Sequence, residues 1–415
     1  MESRFSRTLL VISLLAIPLL AVFSQERVVV FSMPFYVPEV LTGIAFMAFL
    51  FSRRSGGEVS PPRWDAFFLS LFLIALGLVL SSSANDMTLH GYGRMKSWFF
   101  FPLVYGGLLA VLLERKAVAV EDILRAVFFG GLLVGVTALL GAFFGDGLSY
   151  DHRLHGWGSS PNHLAMFLGA AMIAGLALPS SFSGNRERAR ACILIGALFL
   201  GGLLLLTQSY AVIFSIISVA CIGMALCWQR FSRRQMFAAL FLCLLCIGVL
   251  FFLSPQKWRG LASFDGRSSL ASRGMIWQAS FRMIADHPII GIGPGNFQRE
   301  YLRYQQYFAP YLEWSVPHPH DTLLDFWLEG GLLGFLGSAL LFWYWLSSAV
   351  KHVVSQEKRV AFRALPLLLG IYFFLVGLAD APLLRNDLAY LFTSLLVVSR
   401  FFFRDVSGKS SHRAD

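Results

Sequence analysis

Charge is what this sequence most lacks. Only 14% of its 415 residues are Asp, Glu, Lys or Arg, against about 25% in an average soluble domain, which excludes a soluble globular protein of this length. Cysteine is scarce as well. Its five copies, Cys192, Cys221, Cys227, Cys243 and Cys246, all fall inside apolar runs, so no disulfide framework is indicated. Cys243-x-x-Cys246 in such a run has no redox partner and reads as packing by a small apolar side chain. No internal repeat relates the two halves, and the charged mid-membrane residues expected of a secondary transporter are not clearly present.

What is present is hydrophobicity, at 56% of residues. Twelve apolar runs approach the roughly 20 residues that cross a bilayer: 8–23, 33–51, 66–84, 97–113, 122–144, 163–179, 191–207, 210–228, 236–253, 322–346, 364–383 and 389–403. The fold class is an all-α polytopic membrane protein of about twelve transmembrane helices, with one large helical loop between spans nine and ten. Residues 1–253 hold spans one to nine, 254–321 the loop, 322–403 spans ten to twelve, and 404–415 a cytoplasmic tail. The first run follows Arg4 and Arg7 without a convincing small-residue cleavage site after it, so it reads as a signal anchor that becomes the first span.

The net charge of +10 reports orientation rather than nucleic acid, because the basic residues lie between apolar runs. With the N-terminus inside, the seven inside segments hold 20 Lys and Arg and the five short outside loops hold 5. That asymmetry puts both termini in the cytoplasm and the large loop outside. The loop's own Lys257, Arg259, Arg267, Arg273, Arg282, Arg299 and Arg303 are then not explained by topology. Within it, Ser268–His287 has helical amphipathicity, with Ile276, Trp277, Ser280, Met283 and Ile284 on the apolar stripe. Pro288 stops the helix and Gly291–Asn296 makes a glycine-rich turn. A second helix runs from Phe297 to about Trp314 with Tyr301, Tyr304, Phe308 and Tyr311 on one side. That stripe is an interfacial belt or a sugar-stacking surface. The outside loop Gly145–Asn162, with Arg153 and two glycines and a proline near it, reads as an ordered re-entrant turn.

The loop ends on His318-Pro319-His320-Asp321, at the bilayer surface just before the tenth span. A histidine there is poised near neutral pH to move a proton. Two histidines at i, i+2 around a proline, with no nearby Cys, form a poor metal site. Asp321 suits a helix N-cap. Glu329 is costly so near lipid and either orients a histidine or pairs with a loop arginine. The surplus arginines suit a phosphate or diphosphate. Together these residues describe an outward-facing membrane protein for an anionic lipid substrate.

The span pattern with its single late loop resembles the O-antigen ligase and polymerase superfamily of the bacterial envelope. Those ligases carry His, then Asn, Ser or Gln, nine residues, Gly, two residues, and Gly, Thr or Tyr. Here His320-Asp321 is followed by nine residues, Gly331 and Gly334, with Asp in place of the amide or hydroxyl residue. Ser272–Trp277, His287-Pro288 and Gly291–Phe297 are similar to the family's loop signature, and Arg153, Gly156 and Pro161-Asn162 to its earlier periplasmic loop. The family's Thr-x-Ser-Arg is here Thr207-Gln208-Ser209-Tyr210, so Arg153 is the first choice to supply the missing charge.

The resemblance implies a multi-pass protein of the bacterial inner membrane whose active site faces the periplasm. It implies a glycosyltransferase without cofactor or metal. An undecaprenyl-diphosphate-linked glycan is the donor, and Arg273 and Arg153 bind its diphosphate. His320 is the general base on an acceptor sugar hydroxyl, and transfer inverts the anomeric carbon. His318, Asp321, Glu329, Tyr210, Arg299 and Arg303 are possible supporting residues. Lipid A–core is the favoured acceptor. A polymerase joining lipid-linked repeats, transfer to protein, and a lipid-linked glycan transporter are the alternatives. Membrane lipids are expected partners and nucleic acid is not.

Overall fold

A computed structural model of the chain describes residues 2–23, 26–30, 33–52, 64–86, 88–149, 151–156, 160–178, 186–226, 232–253, 269–308, 316–354, 360–383 and 385–411. The helices in chain order are α1 (Glu2–Leu19), α2 (Val37–Ser52), α3 (Ala66–Ala84), α4 (Leu89–Glu114), α5 (Val120–Phe144), α6 (Pro161–Leu176) and α7 (Arg186–Thr207). They continue as α8 (Tyr210–Leu226), α9 (Arg233–Leu253), α10 (Ser269–Asp286), α11 (Phe297–Tyr304), α12 (Thr322–Val354), α13 (Val360–Gly377) and α14 (Asn386–Ser411). A helix therefore underlies each of the twelve predicted apolar runs, with α10 and α11 in the large loop. Among the described residues, α3, α4, α5, α7 and α12 are long and apolar enough to cross a membrane. Parts of α1, α2, α6, α8 and α13 form shorter apolar helices.

The second predicted run needs correcting at its start. Arg27–Val30 and Met33–Tyr36 pair as an antiparallel β-hairpin, and α2 begins only at Val37. Val28, Val29 and Val30 are β-branched residues that favour an extended backbone. The described residues are otherwise helices and the turns that join them. Cys192 and Cys221 are free thiols exposed on α7 and α8, within the apolar runs expected to hold them. Cys227 and the side chains of Cys243 and Cys246 lie outside the described residues.

The large loop is docked by its own small core. Ile276, Ala279, Met283 and Ile284 of α10, Phe297 and Tyr301 of α11, and Leu324 and Leu328 of α12 bury one another with Ile292 and Val316. Each such side chain stabilises by about 1.5–3 kcal/mol when fully buried. Tyr301 is buried and stacks on Phe297 at 5.8 Å, so it belongs to this core and not to a surface stripe. Helix α11 ends at Tyr304, followed by a short 3-10 turn, Gln305–Tyr307. It is thus shorter than predicted, and Tyr311 lies outside the described residues.

Helix α12 is interrupted at Gly331, whose backbone is non-helical at φ 63° and ψ −161°. The break frees backbone groups that the loop takes up: Leu332 N–H donates to Ile289 O at 2.9 Å, and Ile292 N–H donates to Leu328 O at 2.7 Å. A Cβ at position 331 would stand 2.1 Å from Ile289 O, so only glycine fits. This glycine of the His-to-Gly spacing therefore welds the loop to the span that follows it. On the other side of α12, a Cβ at Gly77 of α3 would meet Gly330 O at 2.5 Å, the close backbone approach that small residues permit in membranes.

Candidate active site where the large loop enters α12

The strap Pro317–Asp321 leads from the loop into α12. Asp321 caps that helix, accepting the Leu324 N–H at 2.9 Å; burial raises its carboxyl above the usual range, offset in part by the bonds from Leu324 and Leu323. Asn and Ser are equally good caps, so the Asp at this place keeps the local role of the residues it replaces. His320 has φ 54°, a left-handed conformation that costs a non-glycine residue about 1–3 kcal/mol. The strap is held against that cost. Trp277 of α10 donates its indole N–H to Pro319 O at 3.1 Å, and the His320 N–H donates to His318 Nδ1 at 3.2 Å.

The carboxylate that meets these histidines is Asp380, in the turn after α13. It lies 3.2 Å from His320 Nδ1 and 3.9 Å from His318 Nε2. Burial pushes its carboxyl up, but the hydrogen bond and electrostatic pull of the adjacent His320 more than offset this and hold it well below the usual range. An ionised Asp380 accepts from His320 Nδ1–H, which leaves Nε2 of His320 with its lone pair. The His320 ring is partly exposed at 25%, whereas His318 is at 8%. Burial, reinforced by the nearby His320, pushes His318 well below its ordinary 6.5, so it stays neutral.

Asp380 joins this pair to the earlier loop. Asn162, at the start of α6, donates to Asp380 Oδ2 at 3.2 Å and accepts from Arg153 Nη2 at 2.8 Å. Arg153 Nε donates to Thr207 O at 2.8 Å, and Leu154 N–H donates to Leu206 O at 3.0 Å. The loop is therefore ordered against the C-terminal end of α7. The Arg153 guanidinium thus bonds the carbonyl of Thr207, three residues before Tyr210, the position where the family pattern has its arginine. Arg273 lies one helical turn before Trp277, on the face of α10 that reaches the strap. Among the described residues it forms no ion pair.

Three expected supports go elsewhere. Glu329 points away from the histidines: its Oε1 lies 2.6 Å from Arg94 Nη2 and accepts from Gly295 N–H at 3.3 Å. Its partner is thus an arginine of α4, not of the loop. Arg299 and Arg303 pair with Glu300 at 3.1 and 3.2 Å on the exposed face of α11. They are solvated there because the buried face of α11 is taken by Phe297 and Tyr301.

Asp380, His163, Arg385 and Arg94 were not legible as site residues. His163, His318 and Asp380 each place a ligand-type atom within 4.8 Å of the others, a grouping that merits a test for a metal. Arg385 Nη1 donates to His163 Nδ1 at 3.2 Å, and His318 Nδ1 accepts from His320 N–H. Each imidazole then carries its proton on Nε2. Both Nδ1 lone pairs are thus taken up by N–H donors, which suits the pair poorly to a cation.

Residues 195–339 match the protein family described as O-antigen ligase. This segment of the chain is similar to the O-antigen ligase family. The resemblance read from the motifs around His320 is thereby borne out. The matched segment runs from within α7 to within α12, so it contains Arg273 and the whole His320-to-Gly334 pattern, while Arg153, Asn162 and Asp380 come from segments on either side of it. Similarity to this family, with the apolar helices, supports a multi-pass membrane enzyme of glycosyltransferase type acting on lipid-linked glycans. No curated protein matches the chain.

Proposed function

We propose that this protein transfers a glycan from undecaprenyl diphosphate to a sugar hydroxyl of lipid A–core at the periplasmic face of the bacterial inner membrane, with all twelve apolar helices spanning and both termini inside. The observation that carries the reading is the His320–Asp380 pair. An imidazole with Nδ1–H tied to a buried carboxylate keeps Nε2 as a fixed acceptor for a proton. It stands where the ligase family pattern places its histidine, at the boundary between loop and membrane.

The chemistry then balances simply. The acceptor hydroxyl gives its proton to His320 Nε2 as its oxygen attacks the anomeric carbon. The bond from that carbon to the phosphate oxygen breaks, and its electron pair leaves with the diphosphate. Attack from the face opposite the leaving group inverts the configuration. Arg153 and Arg273 neutralise the diphosphate, and Asp380 stabilises the imidazolium that forms. A single well-placed base contributes on the order of 10²–10⁴-fold; the arginines supply much of the remainder by charge stabilisation. The leaving group already carries its charge as phosphate, so this reading needs neither a metal nor a nucleotide.

Lipid A–core is favoured over a second lipid-linked repeat because the His320-to-Gly334 spacing follows the ligase pattern. Purified protein in proteoliposomes, given lipid-linked glycan and lipid A–core, separates the two. Glycan joined to lipid A–core supports the ligase. Growth of the lipid-linked chain alone identifies a polymerase. Flipping of the donor without any new glycosidic bond overturns the transferase reading.

A further inference from the structure

Helices α10 and α11 flank a groove of about 700 Å³ that the proposed reaction has not used, a size in the usual range for a ligand site. Arg282 and Asp286 line it from α10, Glu300, Arg303 and Tyr304 from α11, and Tyr307 from the turn that follows. Its arginines and carboxylates cancel in pairs. Arg282 Nε lies 3.5 Å from Asp286 Oδ2, and Arg303 Nη1 lies 3.2 Å from Glu300 Oε1. The wall therefore offers many N–H donors and carboxylate acceptors that sum to no charge. Tyr304 donates its hydroxyl to Asp286 Oδ2 at 3.0 Å, which fixes one ring of the wall. Tyr307 meets that ring edge-on at 6.4 Å and is 69% exposed, so most of its own ring is open to a ligand.

An open aromatic ring beside charge-balanced polar groups suits a sugar, which carries C–H groups on its faces and hydroxyls around its edge. Other occupants fit less well. A phosphorylated group, whether the donor's diphosphate or the acceptor's head group, finds both arginines already paired with carboxylates. A membrane anchor would present apolar side chains, and the exposed ones of this loop, Phe281, Ile289 and Ile290, are not among the lining residues.

The groove is also tied to the base. Tyr304 and Phe308 pack against the same small core as Trp277, and that core contains Val316. Trp277 bonds the strap at Pro319, and Val316 directly precedes the strap. Asp286 stands nine residues beyond Trp277, about 14 Å along the axis of α10. One sugar held at His320 does not cover that distance, whereas a chain of several does.

We infer that this groove holds uncharged sugar units of the donor glycan, several units away from the bond being made, and so favours donors that carry a chain over donors that carry one sugar. The inference rests on the transferase reading for which glycan is supplied, but glycan binding tests the groove without any transfer.

Tyr307→Ala removes the open ring at an exposed position, and Tyr307→Trp keeps an aromatic face there. The probe is the donor's glycan freed of lipid and diphosphate. Its binding to the full-length protein in nanodiscs is measured by calorimetry, alongside KM for donors bearing one sugar or several repeats. Tyr307→Ala is expected to bind the lipid-free glycan about tenfold more weakly, the scale of one aromatic contact, and Tyr307→Trp to bind it as wild type does. KM for the long donor rises by the same factor in Tyr307→Ala, while KM for the one-sugar donor does not move. Phe281→Ala, outside the lining, changes neither. Equal glycan binding by wild type and Tyr307→Ala, or none by either, overturns the assignment. So does an equal rise in KM for both donors, or a rise in KM for lipid A–core alone. Quenching of the Tyr307→Trp indole by brominated phospholipid beyond the wild-type level overturns it as well, because the ring then lies in the membrane. Glycan binding that falls in Tyr307→Ala, in a protein that transfers nothing, supports the groove and sinks the transferase reading separately.

Discussion

Replacing Asp380 with Asn is the most informative single change in the proposed site. The substitution keeps shape and volume and removes one negative charge, 3.2 Å from His320 Nδ1. At an effective dielectric constant of about 20, a unit charge pair at that distance is worth about 5 kcal/mol, a ceiling for what the carboxylate contributes to an imidazolium formed during transfer. Converted at 1.36 kcal/mol per tenfold, the ceiling is between about 10³ and 10⁴ in rate. An amide keeps part of the hydrogen bond through its carbonyl oxygen. If it turns its NH₂ towards Nδ1, it forces the wrong tautomer on His320. Single-turnover glycan transfer in proteoliposomes by Asp380→Asn is therefore expected to slow by about 10²–10⁴-fold, with donor KM little changed. The double variant with His320→Ala is expected to be no slower than His320→Ala alone, because the two residues act as one unit. An Asp380→Asn protein within a few-fold of wild type, with its thermal unfolding unchanged, would refute the orienting role.

Arg153→Ala removes the bonds to Thr207 O and Asn162. Donor KM is expected to rise by about 10–100-fold, since a charge-assisted bond is worth roughly 1.5–3 kcal/mol; an unchanged donor KM would place the diphosphate elsewhere. Arg94→Ala leaves Glu329 and Asp325 buried without their cation and is expected to destabilise the protein by about 3–5 kcal/mol, read as a fall in unfolding temperature in detergent. An unaltered temperature would show that the cluster is solvated. Gly331→Ala drives a Cβ into Ile289 O and is expected to loosen the loop from α12, measured as faster amide exchange at Leu332 and Ile292. Exchange at the wild-type rate would contradict the weld.

His318 and Asp380 also set a pH dependence of stability. The folded His318 refuses a proton that the unfolded chain binds below its ordinary 6.5, so the folded state loses stability as pH falls through that value. Asp380 is held low, so its contribution is present above the ordinary 3.8 and is lost as pH falls below it. Thermal stability is expected to be level above about pH 7 and to decline in acid. The decline between 6.5 and 3.8 should flatten in His318→Gln; a slope identical to wild type would assign it to other groups.

Much of the framework was readable from one dimension. Hydrophobic run length marked twelve of the described helices, five of them long and apolar enough to cross a membrane, because a bilayer imposes a minimum span on any chain that crosses it. Ser269–Asp286 announced itself by its stripe and by Pro288. His320, Arg273 and Arg153 stood out as polar residues that topology did not explain. Distance in sequence hid the rest. Asp380 falls inside the predicted run 364–383, yet α13 ends at Gly377 and the turn after it carries Asp380 to the strap, 60 residues from His320. Arg94 sat in a short loop among the residues that report orientation, and only the packing of α4 against α12 made it the partner of Glu329. Tyr301 showed the right spacing for a surface stripe, yet spacing alone does not say which side of α11 is buried.

The central claim is that His320 takes the acceptor's proton. Its most direct test is single-turnover transfer of lipid-linked glycan to lipid A–core by His320→Gln, a variant that keeps hydrogen bonding and cannot act as a base. The account predicts a loss on the order of 10²–10⁴-fold in the transfer step, with donor and acceptor binding retained. Transfer at a rate within a few-fold of wild type would contradict it.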